Sequence, residues 1–337
     1  MVRKNMEKEK ESYKALIENF HNVNVAVIGD LVADEYVYGR QFKLSREAPV
    51  IVAKYENEEV LPGGAGNIIN NIVSLGATAF PIGLIGNDQN GKSLLNYFTN
   101  HGVGTEGIFT CSSRITITKT RFLVGDSHTT KRQVVRFDRE PDTTMDKRTE
   151  QSVIDFIDGI EDKVDIWIIS DYNYDIITPS IIQRIRELAK KKTVVADSRH
   201  RIKKFEGVTI ITPNESEAEE ATGRKIENQD HLYEIGAQLL REVNTKAVLI
   251  TQGNQGMTLF EDDGTIEKVP VYGKNDVIDV TGAGDTVASV LSLSIASGAT
   301  LVQAARLSNY GASVTVMKNG PATATKSELL KAINNHP

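Results

Sequence analysis

Hydrophobic and polar positions along the chain follow two alternating rhythms. Short continuous apolar runs recur at 24-NVAVIGD-30, 79-AFPIGLIG-86, 164-VDIWIIS-170, 193-TVVAD-197, 208-VTIIT-212 and 246-KAVLIT-251. Such runs predict strands buried on both faces of a parallel sheet. Between them, apolar residues recur at helical spacing over 66–75, 92–100, 148–160, 178–191, 215–221 and 229–243. Strand and helix in alternation predict a three-layer α/β/α sandwich around a mostly parallel sheet. Ligands of such sheets gather outside the carboxyl ends of the strands. The final stretch, 326-KSELLKAINNHP-337, predicts a closing helix.

Two stretches break the alternation. Residues 34–60 and 111–138 are strand-like with no helix between strands, and ITITKTRFLV and QVVRF alternate with a period near two. They predict one small sheet projecting from the main domain, either a lid over a ligand site or plain edge hairpins. Ahead of the first strand, residues 1–22 predict a helical extension. Its apolar stripe is Tyr13, Leu16, Ile17 and Phe20, and its outer face is solvated. Residues 23–337 are expected to form one domain.

Composition narrows the classes. A chain of 337 residues is long enough for a sizeable core. Its net charge of −6 argues against nucleic acid as a partner. The single cysteine, Cys111, rules out a disulfide within the chain and fits a reducing cytoplasm; it reads as a small buried residue. The charged N-terminus lacks the apolar segment of a secretory signal, and no apolar run is long enough to predict a membrane span.

Two stretches compete as a phosphate site. Residues 86–93, GNDQNGKS, match the phosphate-loop pattern G-x-x-x-x-G-K-S/T between a strand-like and a helix-like run. IWIISD at 166–171 offers a second nucleotide motif to go with it. Asp88, however, sets a carboxylate where a polyanion would lie, and it also suits a helix cap. The rival is 276-DVIDVTGAGDTVASVLSLSIASG-298. Gly282, Ala283 and Gly284 allow close backbone approach at the start of an apolar helix, where free N–H groups favour an anion. Asp285 then stands in the first turn. It either accepts a proton from an attacking hydroxyl or merely complements the helix dipole.

Further stretches support the rival. In 60-VLPGGAGNIINNIVSLG-76, Gly63 and Gly64 precede a helix that begins near Asn67. In 212-TPNESEAEEATG-223, Asn214 and Glu217 share one helix start. The pair suits either hydrated Mg²⁺ or a capping box.

GGAGN (63–67), GLIGNDQNG (83–91), NESE (214–217), TQGNQG (251–256) and DVTGAGDT (279–286) occur in the order and spacing of the ribokinase-like (PfkB) carbohydrate kinases. The chain resembles that family from about residue 24 to 325. Within it, VIGDLVADEYVYG (27–39), KLSREAPVIV (43–52) and LPGGAGNIINNIVSLGA (61–77) resemble the D-glycero-β-D-manno-heptose 7-phosphate kinases. Those kinases are often one half of a bifunctional kinase/adenylyltransferase, and this chain is expected to be a stand-alone version. The sequence departs from them at 197-DSRHR-201.

The resemblance implies a ribokinase-like fold and an ATP- and Mg²⁺-dependent kinase. Its substrate would be phosphorylated at the anomeric hydroxyl to heptose 1,7-bisphosphate, for ADP-heptose and lipopolysaccharide core precursors. Ribose, fructose or nucleoside phosphorylation is the alternative. Asp285 would be the base, and Gly282, Ala283 and Gly284 the anion hole. Asn214 and Glu217 would order Mg²⁺ through water, and Thr251, Gly253, Gly256 and Asn309 would border the nucleotide. Asp30, Asp34, Gly63, Gly64 and Asn67 would face the sugar, and Asp279 would lie near a K⁺ ion. Candidate cations for a substrate phosphate are Lys131, Arg132, Arg136, Arg199 and Arg201. Lid-on-lid packing would give a homodimer.

Overall fold

The computed structural model describes residues 2–126, 131–272, 278–318 and 320–335. Residues 127–130 of the expected lid, Asp276 and Val277 of the glycine-rich stretch, and the last two residues of the closing segment lie outside them.

Helix α1 (Val2–Glu18) and a short turn lead into β1 (Asn24–Gly29). The chain then runs out and back through two long strands, β2 (Leu31–Leu44) and β3 (Ile51–Gly64), before α2 (Ala65–Ser74), β4 (Thr78–Gly86) and α3 (Gln89–Asn100). β5 (Ile108–Cys111) follows, then β6 (Ile117–Gly125) and β7 (Arg132–Arg139). Next come α4 (Lys147–Ile160), β8 (Ile166–Asp171), α5 (Pro179–Ala189), β9 (Thr193–Ser198) and β10 (Ile210–Ile211). Helices α6 (Glu215–Thr222) and α7 (Gln229–Val243) precede β11 (Ala247–Thr251), β12 (Met257–Glu261) and β13 (Ile266–Val269). Three helices, α8 (Ala283–Ala296), α9 (Leu301–Thr315) and α10 (Lys326–Asn334), complete the described chain.

The main sheet runs β13-β12-β11-β10-β9-β8-β1-β4-β5. It is parallel from β5 to β11, and β12 and β13 add an antiparallel edge. Side chains alternate across it. Val25 and Val27 pack into one core with Ile17, Ile68, Phe98, Val290, Ala304 and Leu329. Ala26 and Ile28 pack into the other with Val153, Ile181, Leu188 and Leu239. These two cores make three layers, as the continuous apolar runs predict. The expected ribokinase-like sandwich is the observed architecture.

The small sheet is β3-β2-β6-β7. β2 is antiparallel to β3 and parallel to β6, and β7 is antiparallel to β6. Its strands reach into the main fold further than the sequence pattern indicated: β2 starts one residue after Asp30, and β3 ends at Gly64, against α2. The 111–138 stretch is divided differently from the expectation, because Cys111 ends β5 in the main sheet. The helical extension is not a separate appendage. Tyr13, Ile17 and Phe20 are fully buried in the first core, and Glu9 and Glu18 pair with Arg306 and Lys326.

Candidate active site

The site is built around the start of α8. Gly282 caps this helix at φ 78°, a left-handed conformation that strains any side chain. A Cβ there would also lie 2.4 Å from Asn67 Nδ2. Three residues on, Asp285 is buried, and both its carboxylate oxygens accept hydrogen bonds. Asn67 Nδ2 donates to Oδ2 at 2.8 Å, and the Tyr172 hydroxyl donates to Oδ1 at 3.2 Å. Burial pushes the carboxyl up to about 6, against the opposing effect of these two donors. A carboxylate held so close to neutrality suits a general base.

The amides of this turn are shared out unevenly. Ala283 N–H donates to Val280 O at 3.2 Å, and Thr286 N–H makes the first bond back to Gly282 O at 3.0 Å. The Ala283 amide is therefore bonded inside the turn, and Ala283 is not among the residues lining the cavity. Gly282 and Gly284 do line the cavity in front of α8, and nothing lies within 4 Å of a Cβ placed on Gly284. A helix start that lines an open cavity is the kind of place where an incoming phosphoryl group can be held. Asp279 ties down the approach to the helix. Its carboxylate accepts from Thr281 N–H at 2.9 Å and Gly320 N–H at 3.0 Å. Burial opposes its ionisation, but these bonds prevail and hold the carboxyl below its ordinary value.

This cavity measures about 380 Å³ and is roofed by the small sheet. Cross-strand register sets Asp34 beside Lys119 and Asp138, and Tyr36 beside Arg121 and Arg136. Lys119, Arg121, Arg136 and Asp34 all line the cavity. Arg121 pairs with Asp34, while Lys119 and Arg136 both reach Asp138. Gly63 lies directly under the Asp34 carboxylate, where a Cβ would come within 2.0 Å of Oδ2. Gly64 also lines the cavity, at φ 57°, where a Cβ would come within 2.7 Å of Asp30 O. Asp30 sits behind the wall: its Oδ2 accepts from Tyr172 N–H at 2.8 Å and Tyr174 N–H at 3.2 Å. It is not among the residues lining the cavity, and these bonds hold the turn that carries Tyr172.

Opposite the lid lie Asn214, Glu217 and Thr251. Asn214 and Glu217 do form a capping box, each side chain bonded to the other's backbone N–H at 2.9 Å. The box and the cavity position coexist, because a helix start is both a place to cap and a place to hold an anion. Asp197, at the end of β9, faces the same space. Its carboxyl is pushed well up by burial and by Glu217 and Asp285, with Arg199 opposing; burial also raises Glu217. The buried Thr212 hydroxyl beside them has no partner among the described residues. Two carboxylates and an unpaired hydroxyl lining one cavity are oxygen donors of the kind a hydrated divalent cation takes.

The other nucleotide-side residues are placed less directly. Gly253 and Gly256 shape the turn between β11 and β12, both at positive φ. Asn309, on α9, spends its amide on Pro270 O at 2.7 Å. Among the candidate cations, Arg199 and Arg136 line the cavity. Lys131 pairs with Glu56, and Arg201 with Asp171, and neither is among the residues lining the cavity. Arg132 is exposed on β7 and lies outside the cavity lining.

The phosphate-loop match does not open toward a ligand. Asp88 caps α3, accepting from Gly91 N–H at 2.8 Å, and fills the loop by accepting from Thr116 N–H and Thr116 Oγ1, both at 2.7 Å. Lys92 is exposed on the first turn. Asp171, from the second motif, is buried against Arg201 and Ser198.

Sequence reasoning missed Lys119, Arg121, Tyr172 and Asp197. Period-two alternation could have paired Lys119 with Arg121 on one face. Nothing local marks Tyr172.

A buried carboxylate at a helix start and a cation-lined lid share one cavity, an arrangement suited to phosphoryl transfer. Residues 23–328 match the pfkB family of carbohydrate kinases, and the chain belongs to that family, whose members are ATP-dependent sugar kinases. It is 35% identical over 328 residues to Bifunctional protein HldE of Geobacter sulfurreducens, covering 96% of this chain and 66% of that protein. The same-named protein of Helicobacter hepaticus is 37% identical over 316 residues, 93% of this chain and 64% of that protein. The chain thus spans about two-thirds of the length of these curated relatives. Among solved structures, phosphofructokinase-2 of Escherichia coli with substrates and products superposes with a TM-score of 0.77 at 18% identity, over 93% and 99% of the two chains. Ribokinase of Arabidopsis thaliana with ribose and ATP gives 0.72 at 19%, over 92% and 98%.

Proposed function

We propose that this chain transfers the γ-phosphoryl group of ATP to the anomeric hydroxyl of a heptose 7-phosphate. The observation that carries this reading is the cavity itself: one buried carboxylate base faces four cations, Lys119, Arg121, Arg136 and Arg199. One α8 helix start serves the transferring phosphoryl group. The cations on the far side suit a second phosphate already on the sugar, and planar guanidiniums match its oxygens. The S-x-E-A-P-V run and the similarity to the HldE proteins favour heptose as the sugar.

In the step itself, Asp285 accepts the proton of the sugar hydroxyl as its oxygen bonds to the γ-phosphorus. The bond from that phosphorus to the β-γ bridging oxygen breaks, and ADP leaves. The amides of Gly282 and Gly284, which line the cavity, would offset charge on the transferring oxygens. Glu217, Asp197 and the Thr212 hydroxyl would hold Mg²⁺ through its waters; the ion supplies charge neutralisation at the nucleotide phosphates. Asn214, Thr251 and the turn at Gly253 and Gly256 would border the nucleotide, with Asn309 supporting its wall. Asp279 is the residue to vary for a K⁺ requirement.

ADP release measured across sugars with and without a 7-phosphate tests the reading. Heptose 7-phosphate is expected to give the highest kcat/KM, and Arg136→Ala to raise its KM about tenfold or more. Better turnover of an unphosphorylated ribose or fructose would establish the alternative substrate class.

Among the described residues, the lid's other face carries exposed apolar side chains beside the Glu35–Arg139 ion pair. Val135 and Phe137 are exposed, Phe137 at 61%, and Phe122 packs edge-on against Phe137. A second copy of the lid is the proposed cover, since open strand edges and exposed aromatics favour pairing. Sedimentation equilibrium should give a dimer at micromolar concentration, and Phe137→Glu a monomer. A wild-type monomer would contradict lid pairing.

A further inference from the structure

Tyr172 was not marked by any motif, yet it is tied to the centre of the site from three directions. Its backbone N–H is held by buried Asp30 at 2.8 Å, and its hydroxyl donates to Asp285 Oδ1 at 3.2 Å. The Arg199 guanidinium lies 4.8 Å over its ring. The turn that carries it is pinned again at Asn173, which adopts φ 68° and donates its N–H to Asp171 Oδ1 at 3.1 Å. Asp171 is in turn fixed by Arg201 and Ser198. The phenol is therefore delivered to Asp285 by a braced strand end, not by a loose loop.

We infer that Tyr172 is a positioning residue for phosphoryl transfer: with Asn67 it locks the Asp285 carboxylate in one orientation and keeps it ionised, leaving the remaining lone pairs for the sugar hydroxyl. The inference rests on Asp285 being the base of the proposed reaction. Geometry gives each oxygen of Asp285 one fixed donor, Asn67 to Oδ2 and Tyr172 to Oδ1. Asp34 from β2 and Asp197 from β9 face the same cavity and disfavour a further negative charge; Arg199 opposes them. Asn67 contributes a donor but no charge. Tyr172 itself stays protonated, since burial and Asp285 raise its phenol well above the ordinary value. It thus donates at every working pH.

The test is a carboxyl titration of the whole chain labelled with ¹³C-aspartate, with the Asp285 resonance identified by its loss in Asp285→Asn. Wild-type Asp285 should titrate near pH 6. Tyr172→Phe keeps the ring under Arg199 and removes only the hydroxyl. Its Asp285 titration should move up by about half to one unit, the worth of one hydrogen bond. The acid limb of kcat should move with it, while the KM for ATP stays unchanged. Fluorotyrosine at position 172, a stronger donor of the same shape, should move both downward. A titration that stays put in both variants, with turnover scaled equally at every pH, would overturn the inference. The titration needs no sugar, so the heptose reading can fail in the substrate panel while this result stands.

Discussion

Asp285→Asn should lower kcat by about a thousandfold, the scale of losing a positioned general base, while leaving most ATP binding intact. The loss follows from geometry. Asp285 is the carboxylate at the α8 start, and its two oxygens are already oriented by Asn67 and Tyr172. The same substitution should stabilise the fold. Burial raises this carboxyl from 3.8 to about 6, so the folded protein holds the proton more tightly than the unfolded chain. The contribution of this one group to stability is then fully present below about pH 4, declines as pH rises to about 6, and is lost at neutral pH. A neutral amide escapes that cost but satisfies fewer donors. Asp285→Asn should therefore gain about 1–2 kcal/mol at pH 7.5, and the gain should vanish below pH 4. Paired urea denaturation curves at the two pH values check this. Lys92→Ala should leave both kcat and ATP binding near wild type, because Lys92 is exposed beside a loop filled by Asp88. Loss of ATP binding in Lys92→Ala would restore the phosphate-loop reading.

The second large effect is expected at Gly282. In Gly282→Ala, the side chain meets a φ of 78° and places its Cβ 2.4 Å from Asn67 Nδ2. Asn67 is fully buried and holds Asp285, so relief of the clash must disturb the base. Backbone strain alone costs on the order of 1 kcal/mol. Turnover should fall about a hundredfold or more, with a lower melting temperature. Gly284→Ala makes the informative contrast. Its Cβ would meet nothing within 4 Å, so the fold should tolerate it. The methyl would instead occupy the space for the transferring phosphoryl group. Turnover should drop with an unchanged melting temperature. Thermal melts beside steady-state kinetics separate the two cases; equal stability losses would contradict the open space at Gly284.

The parts of the site legible in the sequence are those whose physics is local. TGAGD at 281–285 announces a helix start, an exposed amide row and an acid within five positions. N-x-x-E at 214–217 announces a capped start, and the structure forms that cap. The phosphate-loop pattern is also local, and misleads because its decisive partner is not. Thr116 reaches Asp88 from 28 residues away and closes the loop. The lid cations were hidden for a related reason. Lys119 and Arg121 sit at alternate positions of β6 and look like a solvated edge until Lys119 is set opposite Asp34 and Arg121 opposite Arg136. Tyr172 depends on Asp30, which lies 142 residues earlier, just past the end of the adjacent strand β1. The N-terminal helix shows its apolar stripe in the sequence, but the core that receives it comes largely from residues far along the chain.

The central claim is that Asp285 and the α8 start phosphorylate an anomeric hydroxyl of a sugar that already carries a phosphate. Phosphorus NMR of the product formed from ATP and heptose 7-phosphate tests it most directly. The account predicts two sugar phosphate signals, the original 7-phosphate and a new one coupled to the anomeric proton, with neither formed anew by Asp285→Asn. A new phosphate on any other carbon, or ADP formed with the sugar unchanged, would contradict it.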